Sequence, residues 1–582
     1  MGRDQAVLRV PMEVWERILL LLDPEEVVHV RQASRAMYQA GTSFSLWRCF
    51  AAQNAQFPIP AVPHVPIAQQ ERALEHAVLK ARHLTKCWAT PGCIPHRAIR
   101  FRAHVHRITT VKIVIGDTRR TSTGRIVTDA WLITGSVDGY VRVWDVQKAL
   151  RLGGRLDVMS EFVVDEEAVD DMSTCDEEDA KEESDPMKEI KRHSRTILLA
   201  EVDTGGDVTS LDAQLHADRH GMTIAVGSYY VCTLHDSPQS SAACLVYDLN
   251  LHAMPHVLDL RASLDPPEWC GTQCVSLLES SVAVGSYLGN VYVLDWKAGE
   301  RTVIGRHGSV AALRLFPRHV LAATRLGGLE VYAVHAASAP QSDTPIAQYT
   351  LSPHALLSVS ISDCRPCISA GLMPMPGEKE ASLAPLSIAI VDPTGLVHVV
   401  LDPCESCEFP YTFPPRLVAH CNVAHERLIG ASLGASGKRA VLATSLGGLP
   451  PQCAIRAYTN SDTTLVPLRP TPAMVMPGFA RERSSVPLRR AEAEDGQAGT
   501  ASLAVQGASA ALSPTSAASP NSIRERTRRS GRVDSFSSSS TSSVPSPSPR
   551  VDMLTESVID EARGLVCLAS VRGAIWIAEY CM

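Results

Sequence analysis

The stretch Gly135-Ser136-Val137-Asp138-Gly139-Tyr140-Val141-Arg142-Val143-Trp144-Asp145 decides the fold. A small-residue pair leads into a tight turn, and the turn leads into a strand of alternating character. Glycine at the turn supplies a backbone conformation that other residues resist. The alternation that follows packs both faces of a sheet. Gly285-Ser286-Tyr287-Leu288-Gly289-Asn290-Val291-Tyr292-Val293-Leu294-Asp295 repeats the pattern. Weaker copies run over 323–333, with Gly327 at the turn, and over 569–579, with Gly573. Degenerate copies lie at 392–401 and 444–459, and another ends in Leu245-Val246-Tyr247-Asp248 after Gly227-Ser228. Gly289 and Gly327 are 38 residues apart. Gly447 and Gly573 are 126 apart, which becomes 42 once an 84-residue Ser/Pro-rich stretch is set aside. Both intervals fall near the ~40–45 residues of one four-stranded unit in a radial β array. Seven units can be counted.

On these residues the chain resembles the WD-repeat β-propellers. The Trp-Asp signature is intact at Trp144-Asp145, with relics at Leu294-Asp295 and Tyr247-Asp248. The expected fold is mainly β, a seven-bladed WD-repeat-like propeller over residues 97–582. The resemblance implies that His104, four residues before Ile108, takes the histidine position of the family's Gly-His pair, with Ala103 in place of glycine. It further implies a buried hydrogen-bonded network of His104, Ser136 and Trp144, with Asp138 holding the turn, in a structural role. The family's first strand completes its last blade, so 98–102 is expected to pair with 574–580 and remove an open sheet edge. Some relatives bind phosphorylated peptides through arginines at strand starts and before the turn aspartate. Arg325 occupies one such position and is the candidate substrate contact, or else a solvated loop residue. Val137, Tyr287, Val571 and Thr109 at equivalent positions are not basic.

The first fifty residues read as short helices. Pro11 suits a helix start, and Val14, Ile18, Leu19 and Leu22 follow at helical spacing. Asp23-Pro24 stops that helix, and a third ends near Leu46-Trp47-Arg48. So few residues bury little surface alone, which implies a partner helix; a helical cap on the next domain is the alternative. Val10-Pro11-Met12-Glu13-Val14, Ile18-Leu19, Leu22-Asp23-Pro24, Arg31-Gln32-Ala33-Ser34-Arg35 and Leu46-Trp47-Arg48 follow, in order, the pattern of the F-box, which this region (7–50) resembles. The resemblance implies docking on a Skp-family adaptor and, through it, a cullin of an SCF-type ubiquitin ligase. The adaptor-contact candidates are Val10, Pro11, Glu13, Val14, Ile18, Leu19, Leu22, Val27, Leu46 and Trp47. Between this region and the propeller, 67–92 carries an apolar helix face from Ala73 to Trp88 and is expected to be a stiff spacer.

Composition bounds the rest. The chain has 582 residues and a formal charge of −7, but fifteen acids against two lysines fall within 157–189. Without that stretch, 47 acids face 53 bases, too mild an excess to imply nucleic acid. Residues 157–189 and 467–550 are expected to be disordered insertions, the second holding eighteen Ser and ten Pro. Within the second, the basic cluster 524–532 reads as a solvated linker or an import patch. Sixteen dispersed cysteines suggest a reducing compartment, cytoplasm or nucleus. No run of eighteen apolar residues exists, so no membrane helix is expected. Cys404, Cys407, His420 and His425 have zinc-ligand spacing, but the segment falls between two repeats and coincidence explains it as well. No metal or cofactor is expected. Phosphate-loop, nucleophile-elbow, zincin and kinase signatures are all missing, so the expected role is non-catalytic recognition of a protein substrate. A scaffold propeller outside ubiquitin pathways is the alternative.

Overall fold

The computed structural model describes residues 10–53, 67–89, 95–120, 126–153, 197–229, 244–264, 271–306, 308–334, 344–362, 385–404, 406–422, 427–434, 439–445, 452–457, 554–561 and 563–580. The chain divides into two compact units, Met1–Ala480 with Val551–Met582, and Arg481–Arg550; the second lies wholly outside the described residues. So do both expected insertions. The acidic one falls between the helix Val146–Gly153 and the strand Leu198–Asp203, and the Ser/Pro-rich one between the strands Gln452–Ala457 and Leu554–Asp560.

Four short helices open the fold: α1 (Met12–Leu19), α2 (Pro24–Val30), α3 (Arg35–Gly41) and α4 (Phe44–Gln53). Local chemistry sets their ends. The Glu26 carboxylate accepts from the Asp23 backbone N–H at 2.9 Å, closing a capping box with Pro24 in the first turn. Ser34 Oγ accepts from Met37 N at 3.2 Å and starts α3. The partner helix that so small a bundle needs comes from the chain itself. In α5 (Ile67–Ala89), Leu74 and Val78 complete a core with Leu19, Val27, Ala40, Leu46, Trp47 and Phe50. Ion pairs Arg31–Glu75 and Arg82–Asp23, each 2.8 Å, tie α2 and its ends to α5. The stiff spacer is thus corrected to an integral bundle element. Farther along, Leu84 is fully buried, and a Cβ on Gly564 would meet it at 2.3 Å, so α5 also packs on the last blade.

The β region starts with β1 (Arg97–Arg102). The first blade is β2 (Ile108–Arg120), β3 (Ile126–Ser136), β4 (Tyr140–Asp145) and β5 (Leu198–Asp203). The second is β6 (Asp207–Leu215), β7 (Gly221–Tyr229), β8 (Cys244–Asn250) and β9 (Leu258–Leu264). The third is β10 (Thr272–Leu278), β11 (Ser281–Ser286), β12 (Asn290–Asp295) and β13 (Glu300–Arg306). The fourth is β14 (Val310–Leu315), β15 (His319–Thr324), β16 (Gly328–Ala333) and β17 (Ala347–Thr350). The fifth is β18 (Ser358–Ile361), β19 (Leu386–Asp392), β20 (Gly395–Leu401) and β21 (Arg416–Asn422). Next come β22 (Arg427–Leu433), β23 (Arg439–Ser445) and β24 (Gln452–Ala457), then β25 (Leu554–Asp560), β26 (Leu565–Ser570) and β27 (Ala574–Glu579), whose outer neighbour is β1.

Every sheet is antiparallel, with consecutive strands paired except where β1 joins β27, and the quoted repeats fall on the hairpins between second and third strands. The innermost strands β2, β6, β10, β14, β18, β22 and β25 adjoin one another in that order, and β25 returns to β2. This is a WD-like β-propeller. The expected seven four-stranded blades are corrected to six, because the sheet β22–β24 has only three strands among the described residues. The chain after Ala457 leaves the described residues where an outer strand would follow. Closure follows the expected pairing: Ala98 faces Ala578 and Phe101 faces Ile575. Phe101 and Trp144, 5.0 Å apart, join last and first blades in one core with Leu132 and Ile577.

Candidate functional site

The turn Asp138 organises the first blade. Its carboxylate accepts from His104 Nδ1 at 3.0 Å and from the backbone N–H groups of Val105 and Tyr140 at 3.1 Å. Beyond the ring, His104 Nε2 lies 2.7 Å from Thr134 Oγ1, which also accepts from Trp144 Nε1 at 3.0 Å. Arg142 Nη1 also lies 3.0 Å from Nδ1 but donates to Ala103 O at 2.9 Å; with Nδ1 protonated toward the acceptor-only Asp138 carboxylate, the Thr134 hydroxyl donates to Nε2. Burial lowers the His104 pKa, which keeps the ring neutral, although the Asp138 contact pulls the other way. Burial alone would raise Asp138, but the His104 hydrogen bond and the two backbone donors outweigh it and hold it at about 2. Ser136, the expected member, stands outside this chain. Its Oγ donates to His106 O at 3.3 Å and accepts from Asp138 N at 3.2 Å. Strand period explains the correction: 134 and 136 share a face, but Leu132 pairs with Trp144 and Thr134 with Arg142, so residue 134 lies over the indole.

The same end of the ring carries a feature the sequence did not show. Inner strands bulge at equivalent residues: Thr109, Thr209, Gln273, Ala311, Ile429 and Thr555 each interrupt the pairing register of their hairpin. A bulge re-aims the side chain it displaces. In the first three blades that side chain clasps the next blade. Thr109 Oγ1 donates to Val208 O, Thr209 Oγ1 to Thr272 O, and the Gln273 amide nitrogen to Val310 O at 3.1 Å. The Gln273 amide oxygen then accepts from Arg325 Nε and Nη2, both at 2.5 Å. Beside this cation lie exposed apolar turn residues. Tyr229 and Tyr287 are 40 % and 44 % exposed with ring centroids 5.4 Å apart in an edge-on contact, and Leu326 is 73 % exposed. Val137, Leu288 and Val571 are exposed at corresponding turns. Each turn is pinned at its base, with the N–H of Val137, Tyr287 and Arg325 donating to Arg107 O, Gly271 O and Ser309 O.

On the helical bundle the adaptor candidates divide. Val14 and Ile18, one helical turn apart, are 44 % and 42 % exposed, and Leu21 beyond them is 86 % exposed. Pro11 and Glu13 are exposed as well, while Val10 and Leu22 are half-buried. Exposed Tyr38 sits on α3, which packs against α1. Leu19, Val27, Leu46 and Trp47 are instead interior, with Trp47 Nε1 donating to Gly41 O at 2.9 Å. They were expected at a partner surface, but in a bundle closed by α5 they are its core. Leu21 was missed, although it lies three residues past Ile18.

Of the four residues with zinc-ligand spacing, only Cys404 and Cys407 have described side chains. Cys404 and Cys407 are joined to each other by a disulfide. His420 is placed by its backbone pairing to Val397 without a described side chain, and His425 lies outside the described residues. Among the described residues no group of three or more His, Cys, Asp or Glu could hold a metal ion, and no helix is long and apolar enough to cross a membrane.

No protein-family model matches the chain, and no curated protein does. Among solved structures it is similar to the Cps50 (Swd1) β-propeller domain of Myceliophteria thermophila, at 10% identity over 82% of this chain and 98% of that one, with a TM-score of 0.39. It is also similar to a chain of the Mitotic Checkpoint Complex, at 9% identity over 84% of this chain and 96% of that one, with a TM-score of 0.40.

Proposed function

We propose that this chain is a non-catalytic recognition subunit of an SCF-type ubiquitin ligase, acting in the cytoplasm or nucleus. The α1 face docks a Skp-family adaptor bound to a cullin, and the propeller binds the protein to be modified. The observation that carries this reading is the uncovered apolar pair Val14 and Ile18 on α1, continued by Leu21 just past its end, opposite Leu19 and Trp15, which pack into the bundle. Burying such side chains yields about 1.5–3 kcal/mol each, enough for a specific contact. The chain's own part would be proximity: holding substrate near a charged conjugating enzyme raises effective concentration without a reacting side chain here. Co-expression with a Skp-family adaptor and co-elution on gel filtration tests the reading. The double variant Val14→Asp/Ile18→Asp should lose the adaptor while the propeller keeps its thermal unfolding midpoint. Undiminished co-elution would sink it.

Burial of Leu84 against the last blade supports a second reading, in which the bundle merely caps a scaffold propeller outside ubiquitin pathways. In that case the wild-type chain does not co-elute with the adaptor.

A further inference from the structure

The clasped bulges and exposed turns at one end of the propeller define what that end can recognise. Resting on the reading of this end as the partner-binding surface, we infer that it takes an unphosphorylated protein segment presenting a bulky apolar side chain beside a single carboxylate. The apolar group would lie on Tyr229, Tyr287 and Leu326, and the carboxylate would pair with Arg325.

Charge is the first argument. Among the described residues no carboxylate lies within ion-pair distance of Arg325; its side-chain partner is the neutral amide of Gln273. Nε–H and one Nη2–H are spent there, which leaves three of the guanidinium's five N–H donors for one planar carboxylate. The nearby tyrosine ring feels this cation, which lowers the Tyr287 pKa against the dominant raising effect of burial, with Asp207 among the weaker raising influences. Asp207 therefore lies close enough to act on the ring but leaves Arg325 unpaired.

Exclusion of phosphate is the second. A phosphate dianion needs several donors from clustered cations. At the three bulges beside this end, where such cations would enter from the inner strands, stand Thr109, Thr209 and Gln273, whose side chains are committed to the carbonyls of the next blade. The turn positions Val137, Tyr229, Tyr287 and Val571 are apolar or aromatic. The exposed arginines Arg107 and Arg572 stand at this end too, at the turns of the first and last blades, whereas beside Tyr229, Tyr287 and Leu326 the cation is Arg325, which matches one carboxylate.

Shape is the third. The tyrosines are fixed from below: Tyr287 N–H is bonded to Gly271 O, and a Cβ on Gly271 would strike the Tyr229 ring at 2.1 Å. Rigid aromatic rings give contact area at small entropic cost.

The test uses the full-length chain and a phage-displayed library of random 12-residue peptides, followed by synthetic copies of enriched sequences measured by fluorescence anisotropy. Enriched peptides should share an aromatic or branched apolar residue within a few positions of Asp or Glu. Arg325→Ala should weaken binding about tenfold. Replacing the peptide carboxylate by its amide should weaken wild type equally and Arg325→Ala no further. Tyr287→Ala should also weaken it. The turn survives the arginine change because Arg325 anchors it with backbone groups, N–H to Ser309 O and C=O to Leu356 N. The charge swap Arg325→Glu with a lysine peptide should restore binding. Enrichment without carboxylates, indifference to Arg325→Ala, tighter binding of a phosphoserine version, or displacement by single-stranded oligothymidine would overturn the inference. Adaptor co-elution, read on the same preparations, reports the α1 face alone. A chain that co-elutes but enriches no acidic peptide refutes only this inference; one that enriches such peptides without co-eluting refutes only the ligase reading.

Discussion

Replacing Thr134 by valine keeps side-chain volume and removes one hydroxyl. That hydroxyl donates to His104 Nε2 at 2.7 Å and accepts from Trp144 Nε1 at 3.0 Å, and all three residues are fully buried. The substitution leaves an indole N–H and an imidazole nitrogen without partners and out of reach of water. Each orphaned group costs about 1–3 kcal/mol, so the expected loss is about 2–6 kcal/mol with no cavity to add to it. Ser136→Ala is the matched control. Its hydroxyl makes two longer bonds of 3.3 and 3.2 Å at the turn, and the expected loss is about 1 kcal/mol. Both variants would be unfolded in urea as full-length chains, with tryptophan fluorescence and far-UV circular dichroism recorded together to check that one transition is followed. Thr134→Val should lower the midpoint more than Ser136→Ala at unchanged slope. If Ser136→Ala costs as much or more, the network runs through residue 136 and the assignment to Thr134 is wrong.

Three further outcomes are expected. Ending the chain after Ser570 removes β27 and leaves β1 and β26 as open edges, so the truncated chain should aggregate on gel filtration; a monodisperse product would mean closure does not depend on that strand. Asp138 has a folded pKa near 2 against an ordinary 3.8, so it contributes about 2 kcal/mol that is fully present above pH 4 and lost as pH falls toward 2. Asp138→Asn should therefore be less stable at pH 7 and lose less stability than wild type between pH 4 and 2, measured by urea midpoints. Gly573 has φ +78° and a Cβ there would lie 2.1 Å from His104 O, whereas Gly299 has φ +70° and open space. Gly573→Ala should lower the thermal midpoint well beyond Gly299→Ala, which carries only about 1 kcal/mol of backbone strain.

Local chemistry wrote much of this fold into the sequence. The turn glycines at 139, 289, 327 and 573 all take positive φ, and the alternating strands after them are the third strands of their blades. Pairing of β1 with β27 was readable because the chain begins and ends its β region on strand-like segments that a ring must join. One readable signal was missed: Asp145 accepts from Lys148 N at 2.9 Å and starts the helix α6 (Val146–Gly153), whose Val146, Ala149 and Leu150 are buried at helical spacing. Other features depend on register and on neighbours far along the chain. Thr134 replaces Ser136 in the network because cross-strand pairing, not spacing, decides which hydroxyl meets the indole. Leu19, Val27, Leu46 and Trp47 are core because α5, some twenty residues later, folds back over them, and helical period cannot say which of two apolar sides a distant helix will cover. The inner-strand bulges, and with them the clasp that aims Gln273 at Arg325, exist only once adjacent blades meet. A bulge is a mismatch between two strands, and a single strand does not contain it.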